Sequence, residues 1–526
     1  MVTALLTRRS RSITTSLTDI YLNLRQPFRN ITFCLLVVST YISPVVPHVL
    51  VVTPNLITVV PQRFTPVLAE LAPLGDIFRK ADRRLYVVGG TVRDLLLDRQ
   101  MSEVDFDFTT NARPEETKRY LTGWADAIWT TGERFGTISA QKNGRTYEIT
   151  THRAEAYSPD SRKPDVEFSD DIATDLSRRD FTINAMALEV TSDVPELVDP
   201  YGGAADLMSR TLRTPLSPEI SFTDDPLRMM RAARFIATLQ LQPVPEMVAA
   251  VQKLHDRLKI VSAERVRNEL DRLMVCDHPT SGLWFLVDTG LAEHFFPELP
   301  AMKLEQDPIH RHKDVLTHTF AVVENVRPNA SASFDFRITR LAALFHDIGK
   351  PKTRGIKDGK GVTFHHHEVV GARMSRARLK ALKYSTHDTD AITDLVALHL
   401  RFHTYQMGWT DSAVRRYVRD AGPLLNELNV LTRCDCTTRN ERKALMLSQR
   451  MDELEARIAE LAKHEELAAL RPELDGAQVM EMLSIGAGRQ VGEALKFLME
   501  IRLEEGLLGD AEARRRLEQW WATKTD

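Results

Sequence analysis

The sequence predicts an α+β protein in which a mixed α/β head is followed by a long, all-helical body. Strand signals almost vanish after Asp206, and helical periodicity dominates from Asp225 to the end. The length of 526 residues also exceeds what one core supports, because about 150 residues per domain implies roughly three or four units. A composite protein with an α/β head is therefore expected.

The elements of the head follow in order along the chain. A helix should lead into a strand that ends in a glycine pair, and further strands should flank a second helix. Asn143-Gly144 is typical of a two-residue hairpin turn, since both residues tolerate positive φ angles. The expected elements are a helix over 64–82, strands over Arg84–Gly90 and Val104–Thr109, a helix that opens at Pro114, and two strands within Gly136–Arg153.

The composition is that of a soluble globular protein, with 43% hydrophobic and 27% charged residues. It excludes a disordered chain and a membrane bundle. Four cysteines without a CxxC pair indicate neither a disulfide framework nor a zinc knuckle, so a reducing, cytoplasmic location is expected. The net charge of −3 means that any nucleic-acid binding must come from a local patch.

Residues 1–62 differ from the rest, because they contain five arginines, one aspartate and no lysine. Three interpretations stay open. The segment can be a targeting sequence, a membrane anchor, or a disordered or wrongly assigned start. Pro44, Pro47 and Pro54 interrupt the apolar run, which is then shorter than the ~20 residues that a membrane span needs. No stable membrane association is expected, and no catalytic residue is placed there.

The first chemical signal is the strand Leu85–Val88 followed by Gly89-Gly90 and a helix start. Glycines let a backbone approach a polyphosphate, and unpaired N–H groups at a helix start favour an anion. Arg93 in the first turn can add a forked contact. Many strand–helix turns contain two glycines, so this signal is weak alone.

The second signal is Asp105 and Asp107, which alternate with apolar residues and so share one face of a strand. Two adjacent carboxylates repel each other unless a divalent cation lies between them, and Mg²⁺ bound by carboxylates and nucleotide phosphates meets that need. Glu148 on the hairpin strand is either a third carboxylate near the ion or a plain surface residue. A solvated strand face is the alternative for the pair.

Five ordered blocks within about residues 64–300 resemble the class II CCA-adding tRNA nucleotidyltransferase and bacterial poly(A) polymerase family. The fourth is similar to the hinge block of that family, and the fifth to its nucleobase-recognising helix, although the family usually has Glu-Asp where this chain has Asp224-Asp225. The five blocks are Gly89–Asp94, Asp105–Asp107, Arg178–Ala187, Asp199–Leu207 and Asp224–Phe235.

The resemblance implies a role for each matching residue. Asp105 and Asp107 would be catalytic and bind Mg²⁺, and the residue pair matching Asp225 and Arg228 would select CTP or ATP. Read as one helix, Asp225, Arg228 and Arg231 lie three apart on one face, with Arg234 following. A salt-bridged surface helix is the alternative. The full set expected to bind the nucleotide is Gly89, Gly90, Arg93, Arg179, Asp180, Asn184, Asp225, Arg228, Arg231 and Arg234.

A second metal constellation follows in the body, where the apolar helix from Leu341 ends in His346-Asp347. Adjacent His and Asp side chains at a helix end can ligate one metal ion, and Lys350 can help to hold a phosphate. The order of histidines and aspartates resembles the HD metal-dependent phosphohydrolase superfamily. The resemblance implies one divalent ion, of unknown identity, on His318, His346, Asp347 and Asp435, and a second on His367 and His399. A degenerate HD fold retained for structure is the alternative.

The sequence therefore predicts a template-independent nucleotidyltransferase that adds C, C and A to tRNA from CTP and ATP, with HD-domain hydrolysis of RNA-end phosphates. Poly(A) addition to RNA 3′ ends is one alternative. Another is an HD phosphohydrolase whose head only binds nucleotide. The expected domains are an extension (1–62), a nucleotidyltransferase head (63–215), a helical neck that reads the base (216–300), an HD domain (301–440) and a helical tail (441–526).

Overall fold

The computed structural model describes most of the chain after residue 60. The described residues are 61–99, 105–156, 165–304, 314–329, 333–357, 361–404, 408–437, 440–467 and 470–525. The interpretations of residues 1–62 therefore concern a segment that lies almost wholly outside the described residues. Within the described residues no helix is both long and apolar enough to cross a bilayer.

The head is built on a seven-stranded mixed sheet with the strand order β3-β4-β5-β2-β1-β8-β9. Strand β2 runs antiparallel to β1 and parallel to β5, so the centre of the sheet combines both kinds of pairing. The seven strands are β1 (Leu85–Val88), β2 (Phe106–Thr110), β3 (Ala127–Trp129), β4 (Thr137–Lys142), β5 (Arg145–Thr151), β8 (Ala187–Glu189) and β9 (Leu197–Val198), and β6 (Arg153–Ala156) and β7 (Asp165–Phe168) form a separate hairpin.

Helices pack against both faces of the sheet. On one face α1 packs Leu71, Leu74 and Phe78 into the core, at the spacing of an amphipathic helix. Its Gly75 allows close approach, because a Cβ there would lie 2.2 Å from the carbonyl oxygen of Val190. The head helices are α1 (Thr65–Lys80), α2 (Gly90–Leu96), α3 (Pro114–Leu121), α4 (Ile172–Ser177) and α5 (Gly203–Met208).

The predicted hairpin turn is confirmed. Asn143 and Gly144 both have positive φ angles, of 51° and 80°, and they join the antiparallel strands β4 and β5. Sequence patterns missed β8, which lies beside β1 in the interior of the sheet. Three residues are too few for an alternating pattern, so only the long-range pairing defines this strand.

The rest of the described chain is mainly helical. The neck contains α6 (Pro218–Asp224), α7 (Leu227–Leu239), α8 (Pro245–Leu254), α9 (Ala263–Met274), α10 (Thr280–Asp288), α11 (Ala292–Phe295) and α12 (Glu298–Ala301). The body contains α13 (Val315–Asn325), α14 (Phe336–Phe345), α15 (Lys350–Thr353), α16 (His367–Ala381), α17 (Thr386–Leu398), α18 (Asp411–Ala421), α19 (Leu425–Asp435) and α20 (Glu441–Leu461). The tail contains α21 (Gly476–Leu483), α22 (Arg489–Glu505) and α23 (Asp510–Thr525).

The expected α/β head and helical body are confirmed, but two short strand pairs interrupt the helical part of the chain. Strands β12 (Arg354–Lys357) and β13 (Gly361–Phe364) form an antiparallel hairpin between α15 and α16. Strands β10 (Thr211–Leu212), at the end of the head, and β11 (Gln242–Pro243), in the neck, form a short parallel pair. These strands have two to four residues, below the length at which alternation can be recognised in a sequence.

Arg340 on α14 joins the neck to the body. Its side chain is fully buried and donates to the carbonyl oxygens of Val326, at 3.0 Å, and Met274, at 2.7 Å. It also donates to Cys276 and to Asp277, the latter at 3.3 Å. These carbonyls belong to the ends of α9 and α13 and to the residues that follow, so one cation satisfies the terminal acceptors of two helices.

Candidate active sites

A cleft of about 640 Å³ lies between the head and the neck. All the residues that the sequence assigned to nucleotide binding line it, together with Asp107. The residues lining it that were not assigned to the site are Leu227, Phe235, Arg265, Asn268, Glu269 and Arg272. The cleft therefore brings Asp107, one of the two carboxylates of the Asp105-Phe106-Asp107 (DxD) pair, close to a dense group of arginines.

Three carboxylates lie together on one sheet face at the edge of this cleft. Asp107 on β2 is directly paired with Glu148 on β5, and Asp105 precedes β2 and accepts a hydrogen bond from the Thr146 amide at 3.2 Å. Partial removal of water raises the pKa of Asp107, an effect that Arg179 opposes and Asp105 increases. The pKa of Glu148 is raised by the same loss of water and by the charges of Asp107 and Asp105. A set of carboxylate oxygens that repel one another fits a hard divalent cation.

The glycine turn after β1 is fixed in a conformation that glycine favours. Gly89 has a φ angle of 72°, and a Cβ there would lie 3.2 Å from a guanidinium nitrogen of Arg179. A side chain at this position would be strained and would push Arg179 away. The turn and this arginine therefore lie close together on the cleft wall, beside Arg93 of α2.

Asp180 connects the arginines of the head and the neck. Its carboxylate accepts hydrogen bonds from Asn184 Nδ2 at 2.9 Å and from Arg231 Nε at 2.8 Å. Burial alone would raise its pKa, but the Arg231 charge and the Asn184 hydrogen bond hold it at about 2. Arg93 in turn donates to Asn184 Oδ1 at 2.6 Å. Asp180 and Asn184 thus orient arginines as well as lining the cleft.

The placement of Asp225 on one helix face with Arg228 and Arg231 is wrong. Helix α6 ends at Asp224, Asp225 is extended with φ −134° and ψ 100°, and α7 begins only at Leu227. Pro226 causes the break, because the residue before a proline is disfavoured in the helical conformation. The Asp225 carboxylate instead accepts a hydrogen bond from the Leu227 amide at 3.1 Å.

Arg228 is held rigidly next to this break. Its side chain is buried and donates to Ser221 Oγ at 2.8 Å and to the Arg178 carbonyl. Asp225 and Arg228 still line the same cleft. The break therefore places the Asp225 carboxylate and the Arg228 guanidinium at the N-terminus of α7 rather than along one face of the helix.

Helix α9 supplies a wall of the cleft to which the sequence analysis assigned no site residue. Glu269 is buried and lies 2.7 Å from Arg234 Nε, 3.8 Å from a guanidinium nitrogen of Arg231 and 3.7 Å from one of Arg272. Polar residues at 265, 268, 269 and 272 repeat at helical spacing. That stripe was the available signal for a second wall of the cleft.

The first predicted ligand group of the body comes together around His318. Its Nε2 lies 2.9 Å from Asp435 Oδ1, 3.4 Å from His346 Nε2 and 3.6 Å from Asp347 Oδ2. His346 Nε2 is also 3.2 Å from Asp347 Oδ2 and 3.6 Å from Asp435 Oδ1. Four donor atoms from α13, α19 and the end of α14 thus converge on one point.

The second group shares Asp347 with the first. Its other oxygen, Oδ1, is 3.4 Å from His367 Nε2, which is 3.3 Å from His399 Nε2. Within the described residues, Asp347 Oδ1 is buried without a hydrogen-bond partner. A buried carboxylate oxygen beside two imidazole nitrogens fits a cation, so these residues suit a second ion.

Backbone carbonyls fix the histidine rings of the cluster. The Nδ1 atoms of His346, His367 and His399 lie 2.7–2.8 Å from the carbonyls of Ala343, Phe364 and Val396, which leaves each Nε2 directed at the centre. Burial and the nearby His346 charge lower the pKa of His399 to about 3, so its imidazole is neutral near pH 7. A neutral imidazole held in one orientation, as at His399, is suited to bind metal.

Models of three protein families match the chain. The Poly A polymerase head domain matches residues 85–213, the probable RNA and SrmB-binding site of polymerase A matches 241–302, and the HD domain matches 315–465. The three matches follow the same order as the head, neck and body of the structure.

Solved structures of similar fold cover most of the chain. A Bacillus stearothermophilus CCA-adding enzyme in complex with CTP has a TM-score of 0.62 at 22% identity, over 89% of this chain and 99% of that one. A Thermotoga maritima CCA-adding enzyme complexed with tRNA has a TM-score of 0.55 at 19% identity, over 88% and 96%. At these identities the likeness establishes the fold.

Curated relatives match with higher sequence identity. The CCA-adding enzyme of Lactobacillus helveticus is 39% identical over 43% of this chain, and the match spans 55% of that enzyme. The A-adding tRNA nucleotidyltransferase of Deinococcus radiodurans is 31% identical over 84% of this chain and 96% of its own length. The chain thus belongs to the tRNA nucleotidyltransferase and poly(A) polymerase family, in the form that carries a fused HD domain.

Proposed function

We propose that the chain adds C, C and A to tRNA 3′ ends from CTP and ATP without a nucleic-acid template. The observation that carries the proposal is the cleft itself, which brings the glycine turn, the DxD carboxylate and the Asp225–Arg228 pair to one cavity. The CTP and tRNA complexes of proteins with this fold support the same substrates.

In this proposal Asp105 and Asp107 hold Mg²⁺, with Glu148 close enough to be a third ligand. The chemistry that the ion supplies when bound is activation of the 3′-hydroxyl and neutralisation of the leaving pyrophosphate. The backbone at Gly89 and Gly90 approaches the triphosphate, and Arg93 and Arg179 donate to its oxygens. The 3′-oxygen bonds to the α-phosphorus, the bond to the bridging oxygen breaks, and pyrophosphate leaves.

Base selection is assigned to Asp225 and Arg228. A carboxylate accepts from an exocyclic amine and a guanidinium donates to ring acceptors, so together they imitate the pairing edge of a base. The contacts of Arg228 with Ser221 and Arg178 keep that edge fixed before the nucleotide binds. Cytosine and adenine both present an amine, which agrees with the choice of CTP and ATP.

Addition of the terminal A alone is a second candidate. It is favoured by the match to the Deinococcus radiodurans A-adding enzyme, which extends over 84% of this chain, whereas the match to the Lactobacillus helveticus CCA-adding enzyme covers 43%.

For the HD cluster we propose hydrolysis of RNA-end phosphates, with Lys350 placed to hold a phosphate. Its Nζ lies 2.6 Å from Asp347 Oδ2.

The test is gel-resolved incorporation with tRNA that lacks the whole CCA end and with tRNA that ends in CC, each with CTP, ATP or both. Two C residues and one A followed by a stop support CCA addition. Addition of A to the CC end alone supports the second candidate, and long A tails mean poly(A) synthesis. No incorporation by folded protein supplied with Mg²⁺ would overturn the transferase proposal, and the Asp105→Ala/Asp107→Ala variant is the negative control.

A further inference from the structure

The face of the head sheet that bears the carboxylates has two unlike halves. Over β1 and β8 this face is covered, because Tyr86 and Val88 pack against Leu176 of α4 in a buried cluster. Over β5 and β4 the same face carries polar side chains that are half-buried or exposed, and over β3 it carries the exposed Trp129. The uncovered half is called the open face below.

A row of four directly paired residues crosses the open face. Asp107 pairs with Glu148, Glu148 with Ser139, and Ser139 with Trp129 at the edge of the sheet. Directly paired residues point to the same side of a sheet, so all four side chains share the open face. With strands 4.7–4.9 Å apart, the row extends about 14 Å from the carboxylates to the indole.

Trp129 is 44% exposed, whereas its neighbour Ile128 points to the other side, against the core. The ring of a large exposed aromatic residue is a stacking surface for a nucleobase. Ser139 lies between this ring and Glu148, and Gln141 lies two residues further along β4 on the same face. An aromatic platform beside hydroxyl and amide groups is the chemistry that binds single-stranded RNA.

The transfer reaction needs two substrates on opposite sides of the carboxylates. The arginine-lined cleft includes Asp107 and lies on the β1 side, where Gly89 and Arg179 are placed for the triphosphate. Within the described residues, neither Glu148 nor Trp129 lines that cleft. Among the described residues, the β5 side is therefore the approach to Asp105 and Asp107 that is left for the second substrate.

We propose that the open face is the binding site for the single-stranded 3′ end of the RNA substrate, with Trp129 stacking on a nucleotide upstream of the 3′-hydroxyl. The assignment rests on the transferase function proposed above and adds the location of its second substrate. The row of paired residues leads the strand from the indole to the carboxylates, so the 3′-hydroxyl arrives opposite the nucleotide.

Steady-state kinetics of Trp129→Ala in the full chain test this assignment. With tRNA lacking its CCA end and saturating CTP and ATP, KM for tRNA is expected to rise roughly tenfold, because loss of one base–aromatic stack weakens binding by about that factor or more. KM for CTP at saturating tRNA should stay unchanged. Trp129→Phe, which retains an aromatic ring, should restore most of the affinity.

Two further variants separate binding from folding. Ser139→Asp places a negative charge in the path of the RNA backbone, and KM for tRNA should rise more at low salt than at high salt. Val194→Ala, at an exposed position between β8 and β9 near the opposite edge of the sheet, is the matched control and should change neither KM. Thermal unfolding of each variant shows whether the head remains folded.

The outcomes are distinguishable. No incorporation by the unmodified chain would overturn the proposed function and the assignment with it. Normal incorporation with an unchanged KM for tRNA in folded Trp129→Ala and Ser139→Asp would overturn the assignment alone. A rise in KM for CTP instead of tRNA would also overturn it, since Trp129 would then belong to the nucleotide site.

Discussion

The cleft of the head and the cluster of the body bring charged side chains together in opposite ways. The cleft is assembled from two regions and lined by arginines, and the two carboxylates at its edge, Asp105 and Asp107, are exposed. The cluster lies inside one helical bundle, is built from histidines and aspartates, and has His346, Asp347 and His399 almost completely buried. The difference agrees with the chemistry proposed for each site, in which phosphates enter and leave the first, whereas imidazoles and carboxylates retain an ion in the second.

The largest expected effect tests whether the two sites work independently. Asp107→Asn removes one charge from the carboxylate face, and nucleotide incorporation should fall on the order of 10³-fold, because the ion that stabilises the transition state loses a ligand. Incorporation on tRNA, resolved by gel, is the measurement. Metal-dependent hydrolysis by the body should remain, and its loss in the same variant would contradict independence.

Asp347→Asn makes the reciprocal change. Because its two oxygens face different pairs of histidines, the variant should lose both candidate ions of the body together, while incorporation continues. Metal content per chain after dialysis, measured by elemental analysis against the unmodified protein, checks the first part. Retention of the full metal content would show that Asp347 is not the shared ligand.

A smaller effect is expected at Arg340, which joins the neck to the body. Arg340→Met should destabilise the neck and body by about 3 kcal/mol or more, because several buried carbonyls lose their donor. Arg337→Met on the same helix is the matched control. Its ion pairs with Asp388 and Asp271 are only partly buried, and their loss should cost about 1 kcal/mol or less. Urea unfolding of the two variants gives the comparison, and equal losses would contradict it.

The smallest effect is expected in the tail. From the sequence alone, the three consecutive arginines of the tail are either a tRNA backbone contact or a solvated basic turn: Arg514, Arg515 and Arg516. Arg514 pairs with Asp510 at 2.7 Å, Arg515 with Glu512, and Arg516 with Glu512 at 2.8 Å. Replacing Arg514 and Arg515 by Gln should leave KM for tRNA nearly unchanged. A large rise would show that the tail contributes to RNA binding.

Short-range sequence patterns predicted many of the helices and strands and the positions of the residues that line the cleft. The alternation of Asp105 and Asp107 with apolar residues predicted their shared face, and the glycine pair predicted the turn beside them. What the sequence did not reveal depends on pairing between distant segments. Nothing local places Glu148 beside Asp107 or Trp129 in their row, because sheet register is set by strands that are far apart in the chain.

Two other differences had local causes that were present in the sequence. Pro226 was a sufficient signal that Asp225 could not continue a helix into Arg228. The polar stripe of α9 around Glu269 was visible too, but a stripe of charges equally describes a solvated helix face. Only the packing of α9 against α7 shows that it is a wall of the cleft.

Arg340 gives the joint between neck and body a property that ion pairs lack. Its counter-charge is the partial negative charge of carbonyl groups at helix ends, and these groups have no proton to gain. Carboxylates on the surface lose their charge in acid, and salt weakens their attraction to cations. A buried guanidinium bound to backbone carbonyls keeps its charge in acid and its attraction to the carbonyls in salt. The joint should therefore hold at acidities and ionic strengths that loosen the surface ion pairs of the same bundle.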